Sequence, residues 1–105
     1  MSKQRESKLS GKIMAALRVE GYFCFKAHGS EMMMSGLPDI IVCAQGFFLG
    51  LETKLPEGGQ AKPIQRLRIQ QILDAGGHAQ VVRGVDEALR VVAEWVEFMT
   101  TKDGH

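Results

Sequence analysis

Residues 36–54, GLPDIIVCAQGFFLGLETK, contain two apolar runs joined by a short polar connection. The first run, residues 39–43, is rich in β-branched side chains, and the second, residues 47–54, also has the length of a strand. Residues 44–46, between them, leave room only for a tight turn. The two runs are therefore predicted to pair as a hairpin of buried strands.

The chain on both sides of this hairpin predicts three helices and two further strands. The helical segments, marked by apolar spacings of three and four, are residues 6–20, the stretch from Pro63 to Gly76, and the stretch that opens at residues 85–87. The strands are residues 22–27 and 79–83, the loop is residues 28–38, and the tail, residues 100–105, is expected to fray. This αβββαβα order predicts an α/β domain with a mixed sheet flanked by helices.

Length and composition indicate one globular domain over residues 1–105. Apolar residues make up 45% of the chain and charged residues 24%, which is ordinary for such a domain. No stretch approaches the roughly 20 apolar residues of a membrane span. The polar N-terminus, MSKQRESK, lacks the apolar core of a signal peptide, so a cytoplasmic location is expected. The small size and the lack of an added DNA-binding domain are typical of a phage or mobile-element protein.

Several classes of site are disfavoured by what the sequence lacks. Cys24 and Cys43 have no zinc-ligand spacing around them, and both are predicted to be buried core thiols. No Gly-rich phosphate loop follows a strand, which argues against a domain that binds a metabolite. Trp95 is expected in the core, and Met32, Met33 and Met34 are expected to pack under their loop or at a subunit contact.

Two acidic residues and a lysine stand where the hairpin can bring them together. Asp39 follows Pro38 at the mouth of one strand, and Glu52 and Lys54 project together from the other because strand residues two apart share a face. A carboxylate pair beside a lysine suits a hard divalent cation, with the lysine close to a phosphate. The alternative is structural: Asp39 as a turn residue, and Glu52 and Lys54 on a solvated strand edge.

The wider pattern resembles the VRR-NUC family, a branch of the PD-(D/E)xK nuclease superfamily, from Glu6 to about Val92. The residues that carry the resemblance occur in order at compatible spacings, and they are Gly36-Leu37-Pro38-Asp39-Ile40-Ile41, Leu51-Glu52-Thr53-Lys54, Gln65, Ala75-Gly76-Gly77, Val81-Val82-Arg83 and Asp86-Glu87-Ala88. The resemblance implies a restriction-endonuclease-like fold and hydrolysis of phosphodiester bonds. One departure is Ala61-Lys62, where a helix-capping Ser or Thr often stands.

The resemblance also implies roles for individual residues. Asp39, Glu52 and the carbonyl of Thr53 would bind Mg²⁺ or Mn²⁺. Lys54 would be the catalytic lysine, and Gln65 would orient water or phosphate beside the metal.

An acidic residue on the first helix assists the metal in this family, and the sequence offers two. Glu6 and Glu20 lie 14 positions apart, about 21 Å along a helix, so only one of them can reach the metal. Glu6 matches the family position better, and Glu20 remains the rival.

The expected substrate is DNA, contacted mainly through its backbone. The net charge of +1 is too small for binding by bulk charge, so clustered cations are needed. The candidate DNA-binding residues are Lys3, Lys26, His28, Lys62, Arg66 and Arg68. A domain of this size has little surface for reading bases, which favours an endonuclease selective for branched DNA such as four-way junctions, acting as a homodimer. The alternatives are a non-specific or flap nuclease, and a catalytically idle DNA-binding module.

Overall fold

The computed structural model describes residues 2–27 and 33–103 of the chain. Three helices and four strands alternate in the predicted order: α1 (Ser2–Val19), β1 (Phe23–Lys26), β2 (Ile40–Ala44), β3 (Phe47–Thr53), α2 (Pro63–Asp74), β4 (His78–Val82) and α3 (Val85–Asp103). The predicted α/β class and the mixed sheet flanked by helices are confirmed.

The four strands form one sheet in the order β1-β2-β3-β4. β1, β2 and β3 are antiparallel neighbours, and β4 lies parallel to β3 because α2 returns the chain to the same end of the sheet. The predicted hairpin closes at Gln45 and Gly46, whose φ angles of 56° and 87° are those of the turn that suits twisted two-residue hairpins. Its register pairs Ile40 with Leu51 and Ala44 with Phe47.

One face of the sheet carries the core. Helices α1 and α3 pack on this face and on each other. The largest fully buried side chains come from α1 and the strands, among them Ile13, Leu17, Leu49 and Leu51. Alternate residues of each strand point to this face, and the residues between them point to the opposite one. The hydrophobic core is therefore single and one-sided.

The second face is covered only in part, by α2. None of the residues of α2 is fully buried, and Ile69 and Ile72 of its apolar stripe are half-buried. The prediction that Cys43 is a core thiol is wrong, whereas Cys24 is buried as expected. Cys43 pairs with Phe23 on one side and Phe48 on the other, so these three side chains share the open part of the second face.

Two expectations about α3 need correction. The predicted frayed tail is helical through Asp103, and its last two residues lie outside the described part of the chain. Trp95, expected in the core, is half-buried at its edge, where its ring stacks on His78 and Phe98 at centroid distances of 5.1 and 5.6 Å. Across residues 2–27 and 33–103, none of the helices combines the length and apolar character that crossing a bilayer requires.

Candidate active site

Asp39 is fixed at the mouth of β2 by bonds to both neighbouring strands. Its Oδ1 accepts a hydrogen bond from the backbone N–H of Thr53 at 2.8 Å, and its carbonyl accepts from the N–H of Ala27 at 2.9 Å. Burial raises the pKa of the Asp39 carboxyl, while the Thr53 N–H and then the charge of Lys26 act in the opposite direction. The backbone bond therefore uses only Oδ1 of Asp39, and the second oxygen, Oδ2, takes no part in it.

Glu52 lies almost directly across from Asp39. The hairpin register, continued by one residue beyond the Ile40 and Leu51 pair, sets the two carboxyl groups opposite each other on the second face. Glu52 is only 5% exposed, which excludes the solvated strand edge considered above. Burial and then the charge of Asp39 raise the pKa of Glu52 to about 7, against the opposing charge of Lys54.

One carboxylate oxygen of Glu52 has hydrogen-bonding and charged partners, and the other has none among the described residues. Oε2 accepts from Nε2 of Gln65 at 2.9 Å and lies 3.6 Å from Nζ of Lys54. Oε1 is buried and has no hydrogen-bond partner within the described residues. A buried carboxylate oxygen without a donor is costly, so this atom marks a place where a cation would be favourable.

Gln65 reaches the site from the first turn of α2. Its Oε1 accepts from the backbone N–H of Lys62 at 2.8 Å, which leaves Nε2 facing Glu52. This bond is the half of a capping box in which the third helical residue accepts from the N-cap N–H. The other half, in which a Ser or Thr oxygen at position 62 would accept from the N–H of Gln65, is not available to the lysine side chain, which has no acceptor. Asp39, Glu52, Lys54 and Gln65 are thus brought together.

Helix α1 approaches the site with its N-terminal half. Nζ of Lys26 donates to Oγ of the fully buried Ser10 at 2.8 Å, and the charge of Lys26 acts on Asp39. Glu6 is one turn before Ser10 on the same helical face, and it is half-buried. Glu20 lies ten residues after Ser10, about 15 Å away along the helix direction, and is exposed. This arrangement favours Glu6 over Glu20.

The other candidate DNA-binding residues are spread around this centre. Lys3 and Lys62 are exposed. Arg66 donates to the carbonyl of Ala61 at 2.6 Å, and Arg68 donates to the carbonyl of Ser35 at 2.8 Å, so both guanidinium groups also hold local backbone in place. His28 and Met32 lie outside the described residues, whereas Met33 and Met34 are exposed.

Arg83 has a structural task that the sequence pattern did not reveal. Its guanidinium donates to the carbonyls of Leu55 at 2.9 Å, Gly59 at 3.0 Å and Gly58 at 3.4 Å. The segment it holds is the connection from Lys54 to α2. The sequence gives little indication of this role: it shows only that an arginine stands at the end of a predicted strand and that the connection before α2 contains two adjacent glycines.

The residues at the centre are hard oxygen donors of the kind that Mg²⁺ and Mn²⁺ prefer. Within the described part of the chain, no group of three or more His, Cys, Asp or Glu side chains is arranged to hold a metal. A site with two carboxylates fits Mg²⁺, which commonly uses one or two of them and completes its shell with waters and phosphate. The unpartnered Oε1 of Glu52 is consistent with such an ion.

Comparison with known proteins places this architecture in a known fold. No family model matches the sequence, and no curated protein matches it. A solved structure described as "VRR_NUC domain" has a TM-score of 0.71 at 20% identity, covering 86% of this chain and 96% of its own. A second, "VRR_NUC domain protein", has a TM-score of 0.71 at 18% identity and covers 88% of each chain. The resemblance noted in the sequence is therefore confirmed at the level of architecture, and the chain has the fold of the VRR_NUC domain.

Proposed function

We propose that this chain is a divalent-metal-dependent DNA endonuclease of the PD-(D/E)xK type. One observation carries the proposal: the buried Glu52 lies opposite the half-buried Asp39, and Oε1 of Glu52 has no partner among the described residues. Such a pair is unfavourable without a compensating cation. The likeness in fold to VRR_NUC domain structures supports a nuclease in particular.

In this proposal Asp39, Glu52 and the carbonyl of Thr53 hold Mg²⁺ or Mn²⁺, and Glu6 assists from α1. A bound divalent ion supplies an activated water and neutralises charge on the scissile phosphate. The pKa of about 7 for Glu52 belongs to the protein without metal, and a nearby cation favours the ionised carboxylate. Metal affinity is therefore expected to rise with pH.

Lys54 and Gln65 act on the reacting groups directly. Lys54 is 12% exposed in its side chain and lies beside Glu52, so its ammonium meets the phosphate in a site with little water. Gln65 keeps one Nε2 hydrogen on Glu52 and has a second for a phosphate oxygen or the attacking water. Lys3, Lys26, His28, Lys62, Arg66 and Arg68 contact the DNA backbone.

The proposed substrate is branched DNA, such as a four-way junction, cut by a homodimer. Backbone contacts carry little sequence information, so shape is the property that a domain of this size can select. Symmetric cleavage of two strands requires two active sites, which a two-fold dimer supplies.

The decisive experiment compares cleavage of labelled four-way, flapped and linear duplex DNA in Mg²⁺, Mn²⁺ or EDTA. Wild type is tested beside Asp39→Ala, Lys54→Ala and the exposed control Lys12→Ala. We expect metal-dependent cutting of branched substrates that the first two substitutions abolish and the control retains. Equal cutting of linear DNA would favour a non-specific nuclease. DNA binding without cutting in any metal would leave the idle-module alternative and overturn the proposal.

A further inference from the structure

An apolar cavity of about 330 Å³ opens on the same sheet face as Glu52. Its walls come from the loop before β2, from β3 and from α2. They include Met34, Leu37, Phe48 and Ile72, with the polar side chains of Arg68 and Gln71 beside them. The volume is at the lower end of the range for small-molecule pockets.

Two independent elements give the distance between this cavity and the carboxylate pair. Phe48 precedes Glu52 by four residues on the same strand and the same face, which corresponds to about 13 Å. Ile72 follows Gln65 by seven residues on α2, which corresponds to about 10 Å. Because Gln65 lies on Glu52 and Ile72 lines the cavity, α2 spans both sites. The cavity is therefore about three or four stacked nucleotides from the carboxylates.

The aromatic wall is exposed and fixed. Phe48 is 46% exposed, although it is a large hydrophobic residue. A Cβ on Gly77 would lie 3.2 Å from the Phe48 ring, so the absence of a side chain at Gly77 allows the ring to rest against the backbone just before β4. The ring is thus supported on one side and open on the other, which is the geometry of a stacking platform.

Hydrogen bonds orient the two polar side chains of the lining, Arg68 and Gln71. Arg68 donates through Nε to the carbonyl of Ser35 and through Nη1 to Oε1 of Gln71 at 3.0 Å. Within the described residues this leaves Nη2 of Arg68 and Nε2 of Gln71 without a protein acceptor. Both are donors, and nucleobases and phosphates present acceptors.

We propose that this cavity binds an unpaired nucleobase of the DNA strand held at the carboxylate pair, with Phe48 as the stacking surface. The inference rests on the nuclease function proposed above and names the feature of branched DNA that the domain recognises. Arg68 is half-buried and Gln71 is exposed, so both offer donors beside the apolar cavity to the polar part of an occupant. A base with its adjoining phosphate provides an aromatic face, acceptors and negative charge together.

The test is equilibrium binding without divalent metal, so that it does not depend on catalysis. The probe is a duplex with a short single-stranded arm that carries 2-aminopurine, compared with the same duplex lacking the arm. Phe48→Leu keeps the apolar bulk and removes the ring, whereas Phe48→Tyr keeps the ring. Phe98→Leu, which removes an exposed ring from α3, is the matched control. Gln71→Ala tests the amide independently.

We expect wild type to bind the armed duplex more tightly and to quench 2-aminopurine. Phe48→Leu is expected to weaken that preference by roughly 5- to 150-fold, the range for loss of one base–aromatic stack. Phe48→Tyr and Phe98→Leu should retain it, and Gln71→Ala should reduce it. Equal preference in Phe48→Leu and wild type overturns the inference. So does a shift from dimer to monomer in sedimentation with unchanged arm preference, which identifies the cavity as a contact between copies.

Failure of the nuclease proposal gives a different result. In that case wild type cuts no substrate, or Asp39→Ala cuts as well as wild type. The binding of armed DNA is a separate measurement that does not depend on this result. Cleavage that depends on Asp39 together with a Phe48→Leu variant that binds like wild type removes only the base-binding inference.

Discussion

The carboxamide of Gln65 connects two elements, since Nε2 donates to Oε2 of Glu52 at 2.9 Å and Oε1 accepts from the N–H of Lys62 at 2.8 Å. Only one orientation of the amide satisfies both bonds, because the carboxylate needs a donor and the N–H needs an acceptor. The start of α2 is therefore fastened to the buried carboxylate of β3 by a single side chain.

Replacing Gln65 with Leu should weaken both the fold and the reaction. The hydrogen bond to Glu52 is part-buried and involves an ionisable group, so its loss is expected to cost about 1.5–3 kcal/mol in unfolding free energy. Urea unfolding at pH 8 in EDTA measures this change. Gln70→Leu on the same helix removes only an exposed bond to Asp74 and should change stability by less than about 0.5 kcal/mol. Equal effects of the two substitutions would contradict the proposed connection.

The pKa of Glu52 predicts an unusual dependence of stability on pH. Its folded value of about 7 lies above the ordinary value of 4.5, so the folded protein binds this proton more tightly than the unfolded chain. The metal-free protein should therefore lose stability as pH rises from about 4.5 to 7, by up to about 3 kcal/mol from this group.

Glu52→Gln should remove this share of the pH dependence and make the metal-free protein more stable at pH 8. Urea unfolding in EDTA at pH 5 and at pH 8 measures both effects. Glu94→Gln, at an exposed position, serves as the control. A Glu52→Gln variant that loses as much stability as wild type between these pH values would show that the buried carboxylate is not the cause.

Removing the charge of Lys54 should separate metal binding from catalysis. Nζ lies 3.6 Å from Oε2 of Glu52, so Lys54→Met removes a cation that competes with a metal ion for the same carboxylate. We expect Mn²⁺ to bind at least as tightly in calorimetry. The single-turnover rate should fall by about 10²–10³, the range for loss of one preorganised group that stabilises the transition state. A comparable loss in Lys12→Met would contradict this assignment.

Gly50 is expected to be intolerant of a side chain because the ring of Pro38 packs closely against it. A Cβ there would lie 2.7 Å from Cγ of Pro38, the residue that precedes Asp39. Gly50→Ala should therefore destabilise the fold by about 1–3 kcal/mol and weaken Mn²⁺ binding by displacing Asp39. Gly11→Ala in α1 meets nothing within 4 Å and should instead stabilise by about 0.5–1 kcal/mol. Thermal unfolding and Mn²⁺ calorimetry of the two variants test this contrast.

The sequence predicted the parts of the site that depend on local pattern. Strand alternation and a tight turn were sufficient to predict that Asp39 lies close to Glu52, but not the exact register: the predicted connection, residues 44–46, is one residue longer than the observed turn, because Ala44 belongs to β2 and pairs with Phe47. Burial was harder to predict, and Cys43 shows why. Its run is as apolar as a buried strand, but the cover on one face depends on how far α2 extends, which is a tertiary property.

Long-range side-chain bonds were also beyond the sequence pattern. Arg83 is separated by more than twenty residues from the three carbonyls it binds, and no periodicity marks such a pair. The sequence did indicate that Gln65 lies beside the site, through the family resemblance. Its bond to Lys62 could not be predicted from a position that lacks a capping Ser or Thr.

The two-residue turn at Gln45 and Gly46 implies that this connection is intolerant of insertion. Surface turns commonly accept extra residues, since the entropic cost of a longer loop is small. Here the length of the turn contributes to the register at Asp39, which lies five residues before the end of β2. A slip of β2 by one position would move Asp39 by about 3.3 Å and turn its side chain to the other face of the sheet. A single-residue insertion that shifts this register would therefore disrupt the site, although it lies far from the carboxylates and replaces none of the site residues.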